Sequence, residues 1–220
     1  MSEYRSIKVE RTARFLVSGP GEVALREVWF VLHGYAQRAE EFLEEFQIIQ
    51  SPGRMFVAVE GLSRFYRRGS SGEVGASWMT SVARDDEIAD YIGALDAIYS
   101  ELGLDERRDV RVHVLGFSQG CATAFRWALM GRSRIDRLIG WAGDVPPDLD
   151  LDQHASALAD LDLQLIFGAR DRFVSEDRLA EQMARLAEAG VARRLWRFEG
   201  AHRMDRETLT ALAQESPAGC

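Results

Sequence analysis

Five residues, Gly116-Phe117-Ser118-Gln119-Gly120, constrain the fold most, because they join an apolar strand-length run to a helical pattern with small residues at the bend. Before them, Val110-Arg111-Val112-His113-Val114-Leu115 is a β-branched run of buried-strand length. After them, Cys121, Ala122, Ala124, Phe125, Ala128 and Leu129 recur at helical spacing up to Gly131. A strand that turns this sharply into a helix strains the residue at the bend, and glycines on both sides leave room for the crossing. A G-x-S-x-G turn in this setting reads as a nucleophile elbow. Ser118 is its candidate nucleophile, and Gln119 N–H, at the positive end of the helix, is a candidate donor to a developing oxyanion.

The rest of the chain alternates strands with helices. Strands are expected at Thr12 to Val17 and Val28 to Leu32, with a Gly19-Pro20-Gly21 turn between them. A short helix at Glu40 to Phe46, a strand at Met55 to Val59 and a long polar and aromatic loop from Glu60 to Thr80 follow. Ile88, Ile92, Leu95, Ile98, Tyr99 and Leu102 mark one face of a helix whose first turn carries Asp85, Asp86 and Glu87. Beyond the elbow come strands at Ile135 to Trp141 and Leu163 to Phe167, and a helix from Glu176 to Ala189 capped by Ser175 and stopped by Gly190. The strand Ala192 to Phe198 and a helix starting near Asp205 complete the pattern. This order predicts an α/β fold in one domain over residues 1–220, with a mostly parallel central sheet, helices on both faces and minimal or no cap.

A serine hydroxyl needs an imidazole to take its proton and a carboxylate to orient the imidazole. In open α/β sheets such groups gather beyond the carboxyl ends of strands. His202 follows the last strand as Glu199-Gly200-Ala201-His202, and Asp171 follows the preceding one as Gly168-Ala169-Arg170-Asp171. The chain order Ser118, Asp171, His202 is that of the α/β-hydrolase fold. Asp144, after Trp141-Ala142-Gly143, competes as the acid, although its place ahead of Pro146-Pro147 also suits a turn. Of the other histidines, His113 is expected to pack within its strand, His154 to be solvated and His33 to brace a turn. That turn, His33-Gly34-Tyr35-Ala36-Gln37, is expected to supply Tyr35 N–H as the second oxyanion donor.

Composition narrows the partners. Charged residues are 28% and hydrophobic residues 46% of 220, and no apolar run nears the ~18 residues of a membrane span. A formal net charge of −8 argues against nucleic acid and anionic membrane as general partners. Met1 to Lys8 lacks an apolar core of the signal-peptide kind, which predicts a cytoplasmic protein. Cys121 and Cys220 are expected to be unpaired thiols, and no pattern speaks to oligomeric state. The segment from Gly61 to Met79 mixes cations with aromatics, so Arg64, Phe65 and Trp78 are candidates for substrate binding, the alternative being solvated arginines with Phe65 and Trp78 fastening the loop to the core.

Leu32-His33-Gly34, Gly116 to Gly120, Gly168-Ala169-Arg170-Asp171-Arg172-Phe173-Val174 and Gly200-Ala201-His202 together resemble the phospholipase/carboxylesterase family, which includes acyl-protein thioesterases and small bacterial carboxylesterases. The resemblance runs from about Val28 to the C-terminus. It implies a serine hydrolase that cleaves small-molecule esters or thioesters through an acyl-serine, with no cofactor and no metal. On that pattern Ser118 is nucleophile, Asp171 orienter and His202 base, with Tyr35 and Gln119 at the oxyanion hole and Trp78 beside the pocket. Short or medium acyl esters are the expected substrates; acyl-protein thioesterase or lysophospholipase chemistry is the alternative within enzymes, and a ligand-binding protein without turnover is the alternative of another class. The chain departs from the family pattern at Ser175, where proline is usual, at Arg203 after the histidine, and before Val28.

Overall fold

The computed structural model describes residues 2–19 and 25–215. The proposed turn at Gly19-Pro20-Gly21 lies partly, and Cys220 wholly, outside the described residues. Nine strands and six α-helices are assigned among those residues: β1 (Phe15–Ser18), β2 (Glu27–Leu32), α1 (Ala39–Leu43), β3 (Arg54–Val59), β4 (Ser63–Tyr66), β5 (Val74–Ser77) and α2 (Arg84–Glu101) come first. They are followed by β6 (Arg111–Phe117), α3 (Gln119–Met130), β7 (Arg137–Trp141), α4 (Ala155–Ala159), β8 (Asp162–Gly168), α5 (Glu176–Glu188), β9 (Arg194–Phe198) and α6 (Arg206–Gln214).

Seven strands form one sheet in the order β1-β3-β2-β6-β7-β8-β9. Only the β1–β3 pair is antiparallel; the other five are parallel. The registers align Leu32 with Gly116 and Phe117 with Trp141, so strands β2, β6 and β7 end together. This is an α/β-hydrolase sheet. The loops that leave those ends carry His33, Ser118 and Gly143, which is why residues far apart in sequence meet at one edge.

Alternation along the strands divides the core. Val28, Phe30, Leu32, Val112 and Val114 pack against Tyr91 and Leu95 of α2, Phe125 and Trp127 of α3, and Leu179 and Leu186 of α5. Trp29, Val31, Leu115 and Phe117 face Phe42 of α1, Phe46 in the 3₁₀ turn Glu44–Ile49, and Leu209 and Leu212 of α6. The period of two thus sends alternate residues to opposite helix layers, as expected for strands covered on both faces.

Several boundaries match the residues that set them. Ser175 Oγ accepts Arg178 N–H at 3.3 Å, so the residue standing in the usual proline position caps α5 instead. Gly190 follows α5 with φ 66°, and Asp205 caps α6 through Thr208 N–H at 3.2 Å. The segment from Glu60 to Thr80, expected to be a loop, instead folds as a hairpin of β4 and β5. Its strands are four residues each, and their side chains alternate between half-buried and exposed in β4, too short a run to stand out as a strand period. The short helix α4 was likewise not expected, since five residues carry little periodicity.

Candidate active site

Ser118 occupies φ 53° and ψ −116°, between the end of β6 and the start of α3. A side chain in this region costs about 1 to 3 kcal/mol, and the surrounding structure must enforce it. Steric room does so: a Cβ on Gly116 would overlap the Gly120 carbonyl, and a Cβ on Gly120 would overlap the carbonyl of Leu32. Ser118 N–H donates to Trp141 O at 2.8 Å, and its carbonyl accepts Cys121 N–H at 3.0 Å. The serine is thereby locked to the neighbouring strand and to its own helix.

His202 Nε2 lies 2.9 Å from Ser118 Oγ, and His202 Nδ1 lies 2.8 Å from Asp171 Oδ2. The Asp171 side chain is fully buried, while that of His202 is 19% exposed. Asp171 Oδ1 also accepts Phe173 N–H at 2.8 Å and Val174 N–H at 3.3 Å. A carboxylate held by two backbone donors can only accept from the imidazole, which puts the ring proton on Nδ1 and leaves Nε2 to accept from Ser118. The competing acid, Asp144, is engaged elsewhere: it pairs with Arg178 and accepts Gln182 Nε2 at 2.9 Å. Burial raises the Asp144 pKa and the Asp171 charge adds to this, against the opposing pull of Arg178.

The loop after β2 comes close to the serine. A Cβ on Gly34 would lie 3.2 Å from Ser118 Cβ and 3.0 Å from the Phe117 ring, so a side chain here would press on the serine and its neighbour. Its shape is set by His33, which is fully buried, accepts Gly61 N–H on Nε2 at 2.9 Å and donates from Nδ1 to Gly34 O at 2.7 Å. Burial lowers the His33 pKa, in keeping with a neutral ring in that tautomer. Tyr35 and Gln119, the two expected oxyanion donors, follow Gly34 and Ser118 directly, and neither backbone N–H has a hydrogen-bond acceptor among the described residues. Gln119 spends its side chain on the hairpin, accepting Trp78 N–H at 3.1 Å and donating to Met79 O at 2.9 Å.

The three residues nominated for substrate binding separate. Trp78 is 2% exposed, donates its indole N–H to His33 O at 2.8 Å and packs on His33 and Tyr91. It supports the loop from below, the anchoring role. Phe65 stacks on Tyr35 with ring centroids 5.3 Å apart, and Arg64 lies 3.5 Å from Glu60. Sequence reasoning passed over Phe173, which is 68% exposed with its ring 4.6 Å from that of His202. An aromatic two residues after the nominated acid, in a segment otherwise polar, was the available signal. Tyr35, which follows Gly34, is 60% exposed and stacked on Phe65, so the loops that bring Gly34 and Asp171 to the site each carry a solvent-facing aromatic.

Nearby groups are chemically quiet. Cys121 is fully buried, and burial pushes its thiol far above the ordinary range, so it stays a neutral thiol. His113 is buried against Trp29 with a centroid separation of 4.8 Å, and His154 precedes α4. Among the described residues, no group of three or more His, Cys, Asp or Glu could hold a metal ion, and no helix is long and apolar enough to cross a membrane.

A phospholipase/carboxylesterase family model matches residues 23–215. Among solved structures, a Mesorhizobium loti carboxylesterase is 19% identical with a TM-score of 0.70, covering 95% of this chain and 96% of its own. Zea mays acyl-protein thioesterase 2 is 17% identical with a TM-score of 0.69, covering 92% and 97%. A Bacillus cereus carboxylesterase is 15% identical with a TM-score of 0.67, covering 92% of each. Comparison with curated protein sequences gave no match.

Proposed function

The chain belongs to the phospholipase/carboxylesterase family, and we propose that it is a serine hydrolase that cleaves carboxylic esters of short or medium acyl chains through an acyl-serine. The observation that carries this reading is the continuous pair of hydrogen bonds from Asp171 through His202 to Ser118, at 2.8 and 2.9 Å. On this reading Ser118 Oγ attacks the ester carbonyl while His202 Nε2 takes its proton. Asp171, holding Nδ1, stabilises the imidazolium that results. The tetrahedral oxyanion is met by the N–H groups of Tyr35 and Gln119, each worth on the order of 3 kcal/mol in the transition state. His202 then protonates the departing alcohol, and a water activated by the same imidazole releases the acid. Every step uses side chains and backbone of this chain together with water, with no cofactor, and residues 1–220 act as one hydrolase domain on a small molecule in the cytoplasm.

A thioester would follow the same path, and the exposed Phe173 ring beside His202 suits an acyl chain or an aromatic leaving group equally. The test is intact-mass labelling with a fluorophosphonate, for wild type and Ser118→Ala, beside release of p-nitrophenol from acetate, butyrate and octanoate esters. One adduct on wild type, none on Ser118→Ala, and turnover reduced by about 10⁴-fold or more in the variant are the expected results. An unlabelled wild type that turns over no ester, yet shifts its unfolding temperature with acyl ligands, would instead identify a binding protein.

A further inference from the structure

We propose that Arg14, Arg38 and Arg64 form an anion-binding basin beside the candidate active site, fitted to a carboxylate or phosphate group. Three separate segments build it. Arg14 immediately precedes β1, Arg38 immediately precedes α1, and Arg64 lies on β4. Together with Glu60, Phe65 and Tyr66 they line a basin of about 500 Å³.

Glu60 organises the arginines without saturating them. It follows β3, its N–H donates to Arg14 O at 3.0 Å, and its side chain is only 4% exposed. Glu60 Oε1 lies 3.6 Å from Arg14 Nη1 and 3.5 Å from Arg64 Nη1, and Oε2 lies 3.9 Å from Arg38 Nε. These separations exceed hydrogen-bond length, and Oε1 has no hydrogen-bond partner among the described residues. One carboxylate therefore gathers three guanidiniums by charge and leaves the N–H forks of Arg14 and Arg64 unspent among the described residues. Arg38 has a second partner in the exposed Glu40, whereas the guanidiniums of Arg14 and Arg64 donate no hydrogen bond to a described residue. A cationic excess on one concave surface stands out in a chain of formal net charge −8.

Guanidinium forks match carboxylate and phosphate oxygens in a planar, two-bond geometry. Arginines already gathered by a buried counter-charge lose less freedom when an anion arrives than unpaired surface arginines would. The basin also connects to the serine. Phe65, in its wall, stacks on Tyr35, and Tyr35 follows Gly34, whose backbone lies against Ser118. An ester whose acyl or alcohol part ends in an anionic group could thus lay its body along the Tyr35–Phe65 pair and its charge among the arginines. That substrate assignment rests on the hydrolase reading; the anion site itself does not.

The experiment has two arms. In the first, kcat/KM is measured for p-nitrophenyl butyrate and for the anionic mono-p-nitrophenyl succinate, with wild type, Arg64→Ala and the Arg14→Gln/Arg64→Gln double variant, each checked for cooperative thermal unfolding. In the second, inorganic phosphate and succinate are titrated calorimetrically into Ser118→Ala protein with and without the two arginine changes. The expected result is a preference of wild type for the succinate ester that falls about tenfold or more in the variants, with a matching loss of phosphate affinity. Phosphate binding that depends on the arginines, without any preference between esters, would support the basin and identify its ligand as a free anion. Neither preference nor binding at millimolar anion would overturn the proposal. Should wild type resist fluorophosphonate and hydrolyse neither ester, the hydrolase reading fails, and the calorimetric arm still decides the basin.

Discussion

Asp171 holds His202 at 2.8 Å through a carboxylate that solvent does not reach, and the same carboxylate accepts two backbone N–H groups of its own loop. Geometry at this acid is therefore set before any substrate arrives. Asp144 lies close enough to feel the charge of Asp171, yet its oxygens are taken by Arg178 and Gln182. Asp171→Asn should lower kcat for a p-nitrophenyl ester by about 10⁴-fold, because the amide would favour the wrong imidazole tautomer. Asp144→Asn should cost less than about tenfold in kcat and leave stability within about 1 kcal/mol, because burial and the Asp171 charge already oppose its ionisation against the pull of Arg178. Steady-state kinetics with urea unfolding on both variants separates the two, and a larger kinetic loss in Asp144→Asn would reverse the assignment of the acid.

Trp78 tests anchoring against substrate contact. Trp78→Phe keeps an aromatic in the core but leaves the His33 carbonyl without its indole donor. We expect a loss of about 1 to 3 kcal/mol in unfolding free energy, with kcat reduced and KM nearly unchanged, because the His33–Tyr35 loop is disturbed and no substrate contact is removed. A raised KM with unaltered stability would return Trp78 to the pocket wall.

Gly34→Ala should be the most damaging single methyl in that loop. The added carbon would press on Phe117 at 3.0 Å and on Ser118 Cβ at 3.2 Å. If Tyr35 N–H stabilises the oxyanion, its displacement costs on the order of 10² to 10³ in kcat. Fluorophosphonate labelling rates measured beside thermal unfolding would show reactivity falling further than stability; equal labelling rates would remove Tyr35 from the oxyanion hole.

His113 predicts how stability varies with acidity. Burial, aided by the Arg137 charge, pulls its pKa down from an ordinary 6.5 to about 4, and neither ring nitrogen has a hydrogen-bond partner among the described residues. Between those two values the unfolded chain binds the proton and the folded chain does not, so stability is full above about 6.5 and declines as the pH falls toward 4. The contribution lost is at most about 3 kcal/mol. His113→Phe, which preserves the stacking on Trp29, should flatten this part of the stability curve relative to wild type. Urea midpoints measured from pH 4 to 8 check it, and parallel curves for the two proteins would rule the histidine out as the cause.

Local chemistry in the sequence was enough to place the alternation of strands and helices, the bend at Ser118, the helix cap at Ser175 and the start of the last helix near Asp205. Each depends on neighbours a few residues away: a side-chain period, a glycine beside a strained turn, a hydroxyl or carboxylate ahead of a helix. Their places in the loops after the last two strands likewise singled out Asp171 and His202 as candidates. Only the tertiary structure decided that Asp144 is spent on Arg178 and Gln182, that Trp78 lies under the His33 turn, and that Arg14, Arg38 and Arg64 converge on Glu60. The hairpin of β4 and β5 belongs with these, since four-residue strands carry too short a pattern and owe their place to pairing with each other and to contacts with the loop at Ala36. Such outcomes follow from strand register and long-range packing, which fix which side chain finds a partner first, and no local period in the chain encodes that competition.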